Sequence, residues 1–220
     1  MLVLVIAVRE PDRRKGTEIR LPINPADVKR LPARFWLIVL IGSLLTMARF
    51  SEAFLVLRAA SVGLGAAAVP LVLVAMNVVY AISAYPAGVA ADRINWQDLL
   101  AVGLGALIAA DLVLATATTT VGVFCGVGLW GLHMGFTQGL QATLVALTAP
   151  AELRGTAFGV FNLATGVVLL LASVIAGALW SRLGPAATFS AGAVFTAIAL
   201  AGILATRLPL DIQPSRGTMR

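Results

Sequence analysis

Residues 66–87 read AAAVPLVLVAMNVVYAISAYPA, a run of 22 residues without a charge. As a helix it would be about 33 Å long at roughly 1.5 Å per residue. That is enough to cross a hydrocarbon layer of about 30 Å. Five comparable apolar stretches occupy 35–57, 99–118, 121–149, 158–180 and 185–205. Together they predict an all-α membrane protein, a six-transmembrane-helix bundle over 35–207. The same pattern argues against a soluble enzyme.

Composition points the same way. Hydrophobic residues make up 60% of the chain and charged residues 12%, with a mean hydropathy of +0.96. A soluble domain is typically about a quarter charged. The single cysteine, Cys125, lies within an apolar stretch, so no internal disulfide can form.

The net charge of +6 reads as membrane topology rather than as a nucleic-acid surface. Eight of the 16 Lys and Arg residues precede the first apolar stretch: Arg9, Arg13, Arg14, Lys15, Arg20, Lys29, Arg30 and Arg34. With that segment cytoplasmic and six crossings, Arg93, Arg154, Arg207, Arg216 and Arg220 also fall inside. Only Arg58 and Arg182 fall outside, while Arg49 lies within a stretch. Thirteen against two is a strong positive-inside bias. It predicts a multi-pass protein of the plasma membrane, of bacterial inner-membrane type, with both termini cytoplasmic and the lipid bilayer as its partner.

Outside the apolar stretches, residues 1–8 (MLVLVIAV) are apolar but too short to span. Charge follows them instead of preceding them, the reverse of a secretory signal. They look like the last turns of an earlier helix. Residues 9–34 are basic and hold four prolines, as expected for a flexible cytoplasmic linker. Residues 208–220 read as a short polar cytoplasmic tail.

A polar side chain is costly in lipid, so it tends to face a bundle interior or a water-filled path. The first stretch carries Arg49 and Glu52, spaced to share one helix face. The second carries Asn77 and Tyr80, the fourth His133, Gln138 and Gln141, the fifth Asn162 and Thr165. The third has only Asp111, expected near the outer interface, and the sixth nothing stronger than Ser and Thr. Stretches one, two, four and five are therefore expected to line a polar interior, with three and six outside. Arg49, Glu52, Asn77, Tyr80, His133, Gln138, Gln141 and Asn162 are the candidates for a substrate or proton pathway. Arg49 and Glu52 could equally neutralise each other.

Glycines four apart, at Gly131, Gly135 and Gly139, and again at Gly155 and Gly159, are expected to let helix backbones approach closely. Pro86 is expected to kink or end the second helix.

The segment AYPAGVAADRI at 84–94 joins the second and third stretches, with Gly88 followed four residues later by Asp92 and then Arg93. It resembles the loop signature of the major facilitator superfamily. PAELRGTAFGVFN at 150–162 resembles that family's loop between helices ten and eleven. By this resemblance the six stretches correspond to helices seven to twelve, and 9–34 to the central cytoplasmic loop. The family's glycine and basic residues after the signature are here Asn95, Trp96 and Gln97. Asn95 is expected to keep the turn through a left-handed backbone. Gly88, Asp92, Arg93, Glu152 and Arg154 would form a cytoplasmic gate, with Asp92 and Arg154 in its latch.

The resemblance implies alternating-access transport of a small solute by half of a secondary transporter coupled to an ion or proton, with Glu52 and His133 as the candidate proton carriers. The partner would be a small-molecule substrate, with a separate N-terminal half or a second copy completing the site. A non-transporting six-helix protein is the alternative. No cofactor or metal is expected: one histidine and one cysteine, eight residues apart, make neither a metal cluster nor a nucleophile pair. The chain also lacks the Gly-rich, Lys-containing loop of ATP-driven systems.

Overall fold

The computed structural model describes residues 25–206. The expectations for 1–8, for most of 9–34 and for 208–220 concern residues outside that range. Among the described residues all regular structure is helical. A single turn, α1 (Pro25–Val28), precedes α2 (Ala33–Ala48) and α3 (Ala53–Ser61). Then come α4 (Pro70–Ala91), α5 (Trp96–Thr116) and α6 (Thr120–Thr148). A 3-10 turn, Ala151–Leu153, leads into the helical run Arg154–Thr206.

That last run is two helices. Gly184 has φ 83° and ψ 179°, which separates α7 (154–183) from α8 (185–206). Glycine reaches such a φ without penalty, and Pro185 then opens the new helix, where its missing N–H costs nothing. The chain therefore crosses the apolar layer six times, and its crossings begin and end within a few residues of the apolar stretches. Alternating direction puts the start of α2, the α4–α5 turn, the α6–α7 turn and the end of α8 on one side.

Helix α6 is central, packed along α4 and α5, while α5 also packs on the α7–α8 run and α2 lies against that run. Two buried cores follow the bundle axis. One, toward the α4–α5 turn, gathers Phe35, Ile38, Leu100, Leu104, Leu144 and Phe161. The other gathers Phe54, Leu55, Met76, Leu114, Trp130 and Phe189. Lipid tails are as apolar as leucine, so close packing rather than exclusion from water holds these helices together. The contacts across α4 and α6 show it. A methyl group on Gly131 would collide with the Met76 carbonyl, and one on Gly135 with Ser83. Gly139, the third of that series, faces open space.

Four expectations are corrected. The first apolar stretch is not one continuous helix: it breaks between Ala48 and Ala53, so Arg49 and Glu52 flank an interruption instead of sharing a helical face. Of the two outcomes expected at Pro86, the end of the helix is excluded, since α4 continues to Ala91. Residues 25–34 are not a free linker, because Leu31 is buried in the first core and Arg30 pairs with Asp27 at 3.6 Å. Asn95 is not left-handed: at φ −60° and ψ 135° its side chain caps α5 by accepting from the Gln97 N–H at 3.0 Å.

Candidate functional site

The helix break creates the most polar point inside the bundle. Arg49 closes α2 in an extended conformation (φ −114°, ψ 97°), and Glu52 stands at the N-terminus of α3. The Ser51 N–H donates to Ser173 Oγ of α7 at 3.2 Å, which ties the break to that helix. Arg49 lies within electrostatic reach of Glu52, of Tyr80 on α4 and of His133 on α6. Arg49 and Glu52 do not touch as an ion pair: Arg30–Asp27 is the salt bridge that the described residues form.

Depth explains why these four belong together. Tyr80 is ten residues into the 22 of α4, and His133 thirteen residues into the 29 of α6. The spanning segment Ala33–Ser61 has its break just past its middle. Each group therefore lies near mid-span of its helix.

The remaining pathway candidates are placed differently. His133 is buried and its Nδ1 is 2.8 Å from the Gly103 carbonyl, so its ring is directed at α5. Five residues at about 100° each leave about 140° between His133 and Gln138, and Gln138 and Gln141 are half-buried on another side of α6. Asn77 is exposed on α4, its amide donating to the Leu73 carbonyl at 2.8 Å. Asn162 is exposed on α7. The structure thus brings Arg49, Glu52, Tyr80 and His133 to one level. Gln138, Gln141 and Asn162 lie nearer the end of the bundle that holds the α6–α7 turn.

That end also carries the gate candidates, all exposed: Gly88, Asp92, Arg93, Glu152 and Arg154. Gly88 has no neighbour that a side chain would meet, so no helix approaches it here. Asp92 and Arg154 are not joined. Arg154 Nε instead donates to the Ala146 carbonyl at 3.2 Å, closing the end of its neighbouring helix α6.

Sequence reasoning missed the burial of two charges. Asp111 does not reach an outer interface. It is fully buried, neither carboxylate oxygen has a partner, and it packs where α8 presents Gly192 and the break presents Phe50. Arg58 stands in the last turn of α3, at the far end of the first crossing, and is buried there, 8% exposed. Its Nε donates to the Leu114 carbonyl at 2.8 Å and a terminal nitrogen to the Ala117 carbonyl at 2.5 Å. The available signal for Arg58 was its position, a cation on the last turn of an apolar stretch, where a neighbouring helix ends.

No cluster of metal-ligating side chains occurs among the described residues. What the arrangement offers is a charged and hydroxyl-bearing level inside an apolar bundle.

Comparison with known proteins agrees with this picture. A family model described as Major Facilitator Superfamily matches residues 1–173. The chain is 29% identical over 177 residues to an uncharacterized MFS-type transporter of Methanocaldococcus jannaschii, spanning 78% of this chain and 44% of that relative. Its fold is similar to the crystal structure of an auto-inhibited POT family peptide transporter, with a TM-score of 0.61 and 20% identity. That match covers 80% of this chain and 37% of the other. The chain spans less than half the length of either protein. Matched over most of its length, with six apolar crossings, it is a multi-pass membrane protein and belongs to the major facilitator superfamily of transporters.

Proposed function

We propose that this chain forms one half of a secondary transporter that moves a small solute by alternating access, coupled to an ion or proton. The single observation that carries the reading is the mid-depth level of Arg49, Glu52 and Tyr80 at a helix break. Interrupted spanning helices are where transporters of several folds bind substrate, because the break frees polar groups at the centre of the layer. The polar residues Gln138, Gln141 and Asn162 would extend the path toward the end that holds Asp92 and Arg154. With no side-chain partner among the described residues, Asp92 and Arg93 remain available for a contact across halves. The basic bias supports a cytoplasmic location for that end and for both termini, in a plasma membrane of bacterial inner-membrane type. The other half would come from a longer product, a separate chain or a second copy.

The test begins with the native assembly, captured from source-cell membranes by an antibody to residues 208–220 and reconstituted in vesicles. Solute-driven uptake or current above that of protein-free vesicles is expected. Its absence across sugars, organic anions, amphipathic cations and peptides, in vesicles holding the full assembly, would overturn the proposal.

A further inference from the structure

The transport reading leaves the class of solute open, and the following step rests on that reading. We infer that the Arg49 guanidinium is the anchor for an anionic group of the transported solute, with the Tyr80 hydroxyl as a second donor at the same depth.

Past its first turn, the spanning segment Ala33–Ser61 holds two arginines, and the chain uses them differently. Arg58 is buried, and its nitrogens donate to the Leu114 and Ala117 carbonyls and to Ser61 Oγ. That is a structural arginine, with its donors spent on fixed acceptors. Arg49 is the opposite case. It is half-buried, yet its guanidinium forms neither an ion pair nor a hydrogen bond with any described residue. A guanidinium presents five N–H donors in a planar fork that matches carboxylate and phosphate oxygens two at a time. Left unmatched near the middle of the layer, it is costly.

Depth makes that cost concrete. Arg49 lies sixteen residues from the start of its segment and twelve from its end. Those separations correspond to roughly 24 Å and 18 Å of helix. An arginine side chain cannot reach water past either end over such distances, so water or solute has to come to it.

Glu52 does not remove the need for a ligand. It stands at the N-terminus of the nine-residue α3 and forms no ion pair with Arg49. The positive end of that half-helix offsets the carboxylate's charge. His133 sits behind the site with its ring fixed to the Gly103 carbonyl. The hydroxyl of Tyr80, half-buried on α4, is bonded to no described residue and lies within electrostatic reach of Arg49. The structure therefore offers a cationic fork without a fixed partner beside an interrupted backbone, with a tyrosine at the same depth.

The experiment is the thermal stability of the native assembly in lipid nanodiscs, titrated with four probes: succinate, glycerol phosphate, glucose and choline. Succinate or glycerol phosphate should raise the melting temperature in a saturable way. Arg49→Gln should abolish that shift, and Arg182→Gln, at an exposed helix end, should keep it. Arg49→Lys retains the charge without the fork and should need roughly tenfold more anion for the same shift. It also serves if Arg49→Gln does not fold. An anion effect that survives Arg49→Gln, stabilisation by glucose or choline alone, or no effect of any probe overturns the inference. Uptake of a neutral solute in the reconstituted vesicles would leave transport standing and remove only the anion.

Discussion

The Nε of Arg58 donates to the carbonyl of Leu114 at 2.8 Å, so a cation on the short half-helix α3 closes the C-terminal end of α5. A terminal nitrogen reaches the Ala117 carbonyl as well. The last carbonyls of a helix have no partner within it, and the negative end of the helix attracts a cation. The C-terminal part of the broken segment is thereby attached to α5, whereas its N-terminal part, α2, packs on the α7–α8 run.

Arg58→Leu should therefore destabilise the bundle strongly. Hydrogen bonds to charged groups contribute about 1.5–3 kcal/mol each, and the freed carbonyls add a cost of their own. A loss of about 2–4 kcal/mol is expected, read as a lower denaturation midpoint in detergent. Arg58→Lys, which keeps one donor, should fall between. A variant as stable as the parent would mean the cap is made by lipid or water instead.

The glycine series on α6 separates close packing from mere composition. Gly131→Ala meets the Met76 carbonyl and Val79, and Gly135→Ala meets Ser83. Overpacking of this kind costs about 1–3 kcal/mol. Gly139→Ala has nothing to meet, and should change stability by less than about 0.5 kcal/mol. Equal effects at the three positions would show that α4 does not lie where the structure places it.

His133 offers a test of role. Its bond to the Gly103 carbonyl at 2.8 Å is buried, and Gly103 has no room for a side chain beside Thr137. His133→Ala should cost about 1–3 kcal/mol through the unsatisfied carbonyl and the lost packing. In an uptake assay, the same variant assayed at equal folded amount should retain coupling. Loss of coupling with stability unchanged would instead return His133 to the proton path.

How much of this was legible in the chain follows from which physical rule each feature obeys. The crossings were legible because a charge-free run of spanning length has few other uses, and Gly184–Pro185 announced its own break. The interruption at Arg49–Glu52 was not. An i,i+3 ion-pair spacing suits a continuous helix, and apolar residues continue on both sides, so local pattern favours the wrong answer. Polarity showed that His133 points inward but not toward which neighbour, since α6 has helices on several sides. The same rule failed for Asp111. A lone acid on an otherwise apolar helix reads as peripheral, and only the packing of α8 against α5 through Gly192 reveals that it is enclosed.

Asp111 gives the sharpest prediction, because its burial carries an opposite sign. It is fully buried and neither oxygen has a partner among the described residues. The Trp130 Nε1, also buried, is without a partner too, and Trp130 and Phe50 pack with ring centres 5.6 Å apart. Burying a carboxylate without a hydrogen bond costs more than burying an amide of the same shape. Asp111→Asn should therefore raise the melting temperature, whereas most substitutions at a fully buried position lower it. Gly192→Ala should lower it, since the added methyl group would lie 2.7 Å from the Asp111 carboxylate and 3.0 Å from the Phe50 ring. A fall on Asp111→Asn would mean that the carboxylate holds a bound water or ion that the amide cannot replace. The acid would then be kept for that ligand, and not be a residual cost of its packing.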